Sequence, residues 1–331
     1  PVAAGALLLA AGIAVLNIRF GALVTGVFLA VEITTLVVLI ALAALHPARS
    51  LGEVLLHPVM LSHGALVPTS FSVLALAGVS GLWATAGANW ALYFAEEMHE
   101  ARSRIGRVIA WTGALAAVSI AAPMVLLVMG ADDLQGILAA ETPIATFLRR
   151  SGGPLLSGAI SLGVVAAIFN ALIANIMAYG RLFYSTGRDG MWLERINRFL
   201  GGLHPRFNSP VAATVLVVMV AIAAMMLGEK TLLILISGNV ADYVLVSLAI
   251  LVGRRHHSTG RFYKAPLHPI VPLFGLGVTA AAMAADWMDP DTGRPSVILL
   301  TGLFLAAMAY FYFRLRETSA RWLVADAAPP S

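Results

Sequence analysis

The chain is 331 residues long, and 60% of its residues are hydrophobic while only 11% are charged. A soluble domain carries roughly 25% charged residues, so too few charges are present to cover a soluble surface. The net charge of +4 does not indicate a nucleic-acid-binding protein, because the basic residues fall between hydrophobic spans, as in membrane proteins. The absence of cysteine excludes disulfides and thiolate metal sites.

Apolar segments of about 20 residues, long enough to cross a bilayer, recur along the whole chain. The polar segments between them are too short to form a soluble domain. The pattern predicts an all-α polytopic membrane protein, with residues 1–331 forming one transmembrane domain. We place nine spans, over residues 1–16, 20–45, 69–95, 107–130, 155–180, 210–228, 231–253, 267–287 and 295–313.

Lys and Arg are distributed unequally between the alternating loops. If the loop at Arg19 is cytoplasmic, sixteen of the 21 basic residues lie in cytoplasmic loops and five in outer loops. Loops rich in Lys and Arg stay cytoplasmic, so we expect an integral protein of the plasma (inner) membrane with a cytoplasmic C-terminus.

Four shorter stretches carry their own expectations. Residues 188–207 place Trp, Ile, Phe and Leu among Arg and Asn, a pattern that predicts a helix lying on the inner surface. We expect an interfacial segment over 51–69, a short outer amphipathic helix within 132–150, and a disordered tail over 325–331.

Residues 81–97, GLWATAGANWALYFAEE, form a hydrophobic segment that small residues and glycine interrupt. In a membrane, unpaired backbone groups are tolerated only where protein or a water-filled cavity surrounds them. The segment therefore predicts a helix broken near residues 82–88 beside a binding site. Small residues also permit close helix packing, and the residues alone do not separate the two interpretations.

Three loops carry distinctive motifs: EEMHEARSRIGRVI, AYGRLFYSTGRDGMWLERINRFLGGLHPRFNSPVAATVL and RFYKAPLHPIVPLFG. These motifs resemble those of amino acid permeases of the amino acid, polyamine and organocation transporter superfamily. The resemblance covers essentially the whole chain and is most specific over residues 181–210. It implies a secondary active transporter that moves amino acids or related small amines by alternating access.

The family fold has twelve helices, of which the first ten form two inverted five-helix repeats. The resemblance implies that the nine spans correspond to family helices 4 to 12, so we expect that the first three are missing. One of them carries the unwound segment that binds the substrate carboxylate in the family. Residues 81–97 match the sixth helix, which forms the other half of that site. We therefore expect the 331 residues alone not to transport.

The resemblance places the substrate site at the broken helix. Backbone carbonyls around Trp83, Ala84 and Thr85 are expected to take the substrate α-amino group, because helix ends expose partial charge. Trp83 also matches the position of an aromatic gate. The unwound section continues through Ala86 and Gly87.

Two asparagines complete the expected substrate site. Asn89 occupies a position where relatives for strongly cationic substrates can carry a carboxylate, and its amide argues against a guanidinium or diamine substrate. Asn175 is expected to face the pocket, with Asn170 five residues earlier. Polar residues in spans usually face the bundle interior, and contact with substrate or only with other helices stays open for both.

Two carboxylates within spans are candidates for coupling to H⁺ or Na⁺, since charges at membrane depth are costly and mark functional sites. Glu32 lies close to where proton-coupled relatives place a lysine. A neutral Glu32 could carry a proton, or Glu32 could accept a hydrogen bond from Thr34, Thr35 or another neighbour. Asp242 could line the pathway or pair with a basic group.

Two other function classes remain: a membrane-embedded enzyme using these carboxylates, and a non-transporting scaffold or receptor derived from a permease. Glu96 and His99 have a Glu-x-x-His spacing, but a di-metal site needs a second such motif. We expect no enzyme, catalytic residue, metal or cofactor, and inner-loop salt bridges to Arg102, Arg104 or Arg181 instead. The expected partners are a small-molecule substrate and the lipid bilayer, without nucleic acid.

Overall fold

Helices account for nearly all of the regular structure in a computed structural model that describes residues 2–16, 18–45, 47–84, 87–237, 240–256, 264 and 266–316. The chain divides into two compact units, one of residues 1–179 and 205–209 and the other of residues 180–204 and 210–331.

The first unit begins with a helix that runs almost from the start of the chain. Its elements are α1 (Val2–Val15), α2 (Ile18–Leu45), α3 (Leu51–Leu56), β1 (Val59–Ser62), β2 (Ala65–Pro68), α4 (Phe71–Ala84), a 3-10 helix (Ala88–Glu97), α5 (Ala101–Gly130), α6 (Leu134–Leu138) and the larger part of α7 (Pro143–Arg188).

The second unit contains the end of α7 and the helices that follow it. These are α8 (Glu194–Leu200), α9 (Val211–Ala224), α10 (Glu229–Ser237), α11 (Val240–His256), α12 (Ile270–Met288), α13 (Gly293–Tyr310) and a π-helical turn (Phe311–Leu315).

Helices of the structure occupy the place of each predicted span. Within the described residues, five helical segments are long and apolar enough to cross a membrane, and three shorter apolar helices accompany them. Large apolar side chains such as Leu115 and Leu162 are 66% and 72% exposed, which is unfavourable in water by about 25 cal/mol per Å² of apolar surface but not in lipid. The prediction of an all-α polytopic membrane protein is confirmed. The five are Phe20–Leu45, Ser103–Gly130, Pro143–Arg188, Ile270–Met288 and Gly293–Leu315.

Helices α2 and α7 pack against each other in antiparallel directions. The Phe28 and Phe169 rings meet edge to face at 5.7 Å. Further towards the end of α2, the Thr35 side chain fills the space that a Cβ on Gly163 would need. Residue numbers rise along α2 as they fall along α7, and the glycine on α7 allows the close approach.

Helix α5 packs against the end of α2 at an equally close contact. A Cβ on Gly130 would lie 2.6 Å from the backbone oxygen of Ala43. Ala43 also belongs to the buried core of this unit, with Leu127 of α5 and Phe147 and Ile160 of α7. The three helices therefore share one core.

Contacts between loops pair segments that were predicted to lie on the same side of the membrane. This agreement supports the alternation of the spans, although it does not decide which side is cytoplasmic. On the outer side, Gln135 donates to the Gly64 carbonyl and Lys230 to Asp291. On the inner side, Ser209 donates to the carbonyl of Val15 at the end of α1, and Tyr310 at the end of α13 donates to the Met191 carbonyl.

The segment 51–69 contains a structure that the sequence did not predict. After α3, strands β1 and β2 pair antiparallel, with Ser62 opposite Ala65. His63 and Gly64 between them have φ of 49° and 78°, the two positive angles of a tight hairpin turn. Whether this hairpin lies along the membrane interface stays a prediction.

The outer segment 132–150 contains the short helix α6. Asp133 caps it by accepting a hydrogen bond from the Gly136 N–H at 2.8 Å. The Arg150 guanidinium donates to Asp133 at 2.7 Å. That bond, together with the cap, holds the pKa of the Asp133 carboxyl below its ordinary value.

The helix predicted over 188–207 is shorter in the structure, where α8 covers only Glu194–Leu200. Gly190, at a φ of 76°, separates α7 from it. The Asn197 side chain accepts from the Trp192 N–H and donates to the Trp192 carbonyl, which fixes a turn before the helix. Its predicted surface position stays a prediction, and residues 325–331 lie outside the described residues.

The Gly130 contact predicts the effect of one added methyl group. Gly130→Ala should lower the free energy of unfolding by about 1–3 kcal/mol, because overpacking against a backbone atom forces the helices apart. Thermal unfolding in detergent measures this effect as a lower Tm.

Gly113→Ala on the same helix is the matched control. Its Cβ would meet the Ala88 Cβ at an ordinary 3.7 Å, so Tm should be unchanged or raised by the better helix propensity of alanine. Equal Tm values for the two variants would contradict the close contact of α2 and α5.

The turn before α13 predicts a pH dependence. Asp289 accepts hydrogen bonds from the Thr292 hydroxyl and from the Asp291 and Gly293 N–H groups, and these bonds lower its pKa from 3.8 to about 2. A lowered folded-state pKa stabilises the fold above the unfolded-state value, and this stabilisation is lost as the pH falls through the folded-state value.

Asp289→Asn should therefore lower Tm at neutral pH. The difference in Tm between this variant and wild type should disappear as the pH falls from 3.8 to about 2. Asp291→Asn, which removes only an exposed ion pair with Lys230, should change Tm little. A Tm difference between Asp289→Asn and wild type that persists at the lowest pH would contradict stabilisation by the ionised Asp289 carboxylate.

Candidate functional site

The helix predicted to be broken near residues 82–88 is interrupted there in the structure. Helix α4 ends at Ala84, and a 3-10 helix begins at Ala88. Between them, Gly87 has φ 117° and ψ −14°, in the left-handed region that favours glycine. An α-helix therefore does not continue through this position.

Four of the residues predicted to bind substrate cannot be assigned a contact. Thr85 and Ala86 lie outside the described residues, as do the side chains of Trp83 and Ala84 at the end of α4. Their roles stay predictions.

Two aromatic residues of the 3-10 helix face one tyrosine. The rings of Trp90 and Tyr93 lie 5.7 and 6.2 Å from the ring of Tyr179 on α7. A 3-10 helix has three residues per turn, so side chains three apart eclipse one another. This cluster was not predicted from the sequence, although Trp90 and Tyr93 are three residues apart there, the spacing that places two side chains on one face of a 3-10 helix.

Asn89 lies two residues after the left-handed glycine, between Gly87 and the aromatic cluster. Its Oδ1 atom is buried and has no hydrogen-bond partner within the part of the chain that the structure describes. A buried acceptor without a partner costs about 1–3 kcal/mol. The broken helix therefore presents an unused acceptor beside its interruption.

Asn175 lies half-buried on α7, and its Nδ2 donates to the Ala171 carbonyl of the same helix at 2.8 Å. The amide is thus bonded to its own backbone. Contact of Asn175 with a substrate stays a prediction.

Glu32 lies at the middle of α2 and accepts a hydrogen bond from the Asn170 Nδ2 of α7 at 2.6 Å. The hydroxyls of Thr34 and Thr35 instead donate to the carbonyls of their own helix. Of the expected interior hydrogen bonds, the one to a neighbouring side chain is therefore present. Asn170 therefore contacts a neighbouring helix, α2, through its bond to Glu32.

Asp242 lies on α11, but its side chain falls outside the described part of the chain. Its expected roles in lining the pathway or in pairing with a basic group stay predictions.

A cavity of about 380 Å³ lies along the early part of α7. None of the predicted site residues lines it, and the sequence analysis did not anticipate it. Gly153 interrupts α7 there with a φ of 74°. The lining residues are Arg149, Pro154, Ser157, Gly158 and Ser161.

The acidic inner loop forms a salt bridge of the expected kind. Glu100 pairs with Arg104 at 2.9 Å, and both side chains are more than half exposed. Such exposed pairs contribute little to stability. Within the ranges that the structure describes, no group of three His, Asp or Glu side chains is placed to hold a metal ion.

Residues 2–312 match the family model described as amino acid permease. The chain belongs to the amino acid permease family. This membership, together with the long apolar helices, makes it an integral membrane protein. It also accounts for the loop motifs that suggested the family.

Three relatives of the chain carry transporter names. It is 26% identical over 270 residues, 77% of the chain, to the cystine/glutamate transporter of Pongo abelii. It is 27% identical over 166 residues, 49% of the chain, to the branched-chain amino acid permease BcaP of Lactococcus lactis. It is 28% identical over 139 residues, 41% of the chain, to the methylthioribose transporter of Bacillus subtilis.

The matched segments cover 49%, 35% and 29% of these three relatives. The chain thus spans about half or less of the length of the curated relatives it matches.

The left-handed glycine predicts a difference between two Gly→Ala substitutions. Gly87→Ala should lower the free energy of unfolding by about 1–2 kcal/mol, because Cβ disfavours the left-handed region. Gly81→Ala on α4, where a Cβ meets no atom within 4 Å, should leave Tm unchanged or raised. An unchanged Tm for Gly87→Ala would contradict the positive φ at the break.

Proposed function

We propose that this permease is a secondary active transporter that moves amino acids or related small amines by alternating access. The observation that carries the proposal is the buried Oδ1 of Asn89, which has no hydrogen-bond partner among the described residues and lies next to an interrupted helix. The family membership and the names of the relatives support it.

A substrate ammonium group suits this location for two reasons. Helix α4 ends at Ala84, and the last carbonyls of a helix have no partner further along the same helix. These carbonyls carry the partial negative charge of a helix C-terminus, which favours a cation. An ammonium group would thus satisfy both the free carbonyls and the Asn89 oxygen.

The neutral amide of Asn89 favours a substrate without a second positive charge. Fully compensating a guanidinium or a second ammonium at membrane depth would require an acidic partner. The names of the three relatives refer to different substrates, so the proposal extends to amino acids and related small amines as a class.

The enzyme hypothesis requires convergent acid–base or metal-binding groups. At the break, the described side chains are instead an amide and aromatic rings. The Tyr93 and Tyr179 hydroxyls could exchange a proton, but no group of three His, Asp or Glu side chains among the described residues is placed to hold a metal ion beside them. The scaffold or receptor hypothesis would leave Asn89 without a use for its buried acceptor. Transport therefore accounts for more of the observed geometry.

The proposed orientation places the C-terminus in the cytoplasm and the protein in the plasma (inner) membrane. It rests on the excess of Lys and Arg in one set of loops, sixteen of the 21 basic residues.

Uptake by proteoliposomes tests the proposal, with protein expressed from its complete gene. Wild type should take up labelled neutral amino acids saturably. Asn89→Leu should lower kcat/KM by at least about tenfold, since losing a hydrogen bond to a charged ligand costs about 1.5–3 kcal/mol. Trp83→Ala should also reduce uptake if Trp83 gates the site.

Thr301→Val is the control, because it also removes a polar group from a membrane helix and its exposed hydroxyl already bonds to the Val297 carbonyl of that helix. It should retain most of the uptake. Absence of saturable uptake by wild type across amino acids and small amines would overturn the proposed function. Equal uptake by Asn89→Leu and Thr301→Val would show that the Asn89 amide does not bind the substrate.

A further inference from the structure

Glu32 is a carboxylate in an unusual setting. It lies mid-way along α2, a helix of 28 residues with a strongly apolar sequence. In a bilayer this position is near the middle of the hydrocarbon core, where an ionised carboxylate is costly. Its only described polar side-chain contact is Asn170, which is 9% exposed.

The helices packed around Glu32 offer no nearby compensating cation in sequence. The facing stretches 108–130 of α5 and 151–178 of α7, and all of α1, contain no ionisable side chain. The next ionisable residues along these elements are Arg19 on α2, Arg107 on α5, and Arg150 and Tyr179 on α7. Arg19 is thirteen residues from Glu32 on α2, about 20 Å along the helix, and Arg150 is twenty residues from Asn170 on α7, about 30 Å along the helix. Tyr179, nine residues beyond Asn170, carries no positive charge, because a phenol is not a cation in either protonation state.

The Asn170 amide has one group that the contact with Glu32 leaves unused. Its Nδ2 donates to Glu32, but its Oδ1 is buried without a hydrogen-bond partner within the described residues. An ionised Glu32 has no proton to donate, so it cannot satisfy this acceptor. A protonated Glu32 has one O–H donor, on the same carboxyl that already accepts from Nδ2.

We propose that Glu32 and Asn170 form a proton-binding site in which the protonated Glu32 carboxyl and the Asn170 amide exchange two reciprocal hydrogen bonds. The bound proton comes from water, and it forms an O–H bond on Glu32 that points at the Asn170 Oδ1. On release the proton returns to water, and Nδ2 continues to donate to the carboxylate. Coupling of this proton to uptake rests on the proposed transport function; the proton site itself does not.

A metal cation such as Na⁺ fits the same residues less well. Hard cations take several oxygen ligands, whereas the pair supplies one carboxylate and one amide oxygen. The neighbouring hydroxyls of Thr34 and Thr35 are bonded to carbonyls of their own helix.

The first experiment detects the proton without using transport. Infrared difference spectra of the purified protein in nanodiscs, taken as the pH is raised from acid to alkaline, should show loss of a carboxylic-acid C=O band. Glu32→Gln should remove the band, and Asn170→Leu should shift it by removing the amide partner. Glu194→Gln, at an exposed carboxylate paired with Arg198, should leave it unchanged. Absence of any band dependent on Glu32 would overturn the proton site.

The second experiment tests coupling. Glutamine in place of Glu32 can donate to Oδ1 and accept from Nδ2, so it imitates the protonated state and keeps the packing. Glu32→Gln should therefore retain substrate exchange but lose accumulation driven by a pH gradient, while Glu194→Gln accumulates like wild type. Accumulation driven by the pH gradient in Glu32→Gln, or a Na⁺ requirement that this substitution removes, would overturn the proposed coupling.

The two experiments separate the two proposals. A Glu32 band with no uptake by any variant or by wild type would support the proton site and contradict the transport function. Uptake by wild type without a Glu32 band would support the transport function and contradict the proton site.

Discussion

Every polar group of the backbone needs a hydrogen-bond partner at membrane depth, and the rest of this structure depends on that constraint. Long helices meet it by bonding each residue within the segment. The interruption between α4 and the 3-10 helix departs from it, with Gly87 in a conformation that an α-helix does not adopt. A break of this kind leaves carbonyls free to bind a ligand, which is why the proposed substrate site lies there.

Small residues determine which polar groups meet. Gly163 brings α7 against Thr35 of α2, and Gly130 brings α5 against Ala43. Because three helices approach so closely, the carboxylate of Glu32 reaches Asn170 in an otherwise apolar environment. The half-buried Glu32 carboxyl and the buried Asn170 amide are then in direct contact, and in the proposed site a single proton on Glu32 satisfies the amide oxygen.

Much of the fold could be predicted from the sequence. Apolar runs of about 20 residues have few alternatives to helices in a membrane, so the predicted spans coincide with helices. The run of small residues interrupted by glycine at 81–97 likewise predicted the break. The hairpin at residues 59–68 was missed because it depends on a two-residue turn at His63 and Gly64 rather than on periodicity. The length of α8 was overestimated because Asn197 forms a local turn with Trp192.

The sequence by itself determined the class of the protein, the spans and the interrupted segment, since composition and periodicity are local properties. Its loop motifs indicated the family by resemblance. It also marked Glu32 and Asn89 as polar residues in apolar surroundings. Only the tertiary structure decided what surrounds these residues. Asn170 lies against Glu32, the buried oxygen of Asn89 meets no partner among the described residues, and Tyr179 lies against Trp90 and Tyr93. Glu32 and Asn170 are 138 residues apart, and helix packing, which local sequence patterns do not encode, brings such residues together.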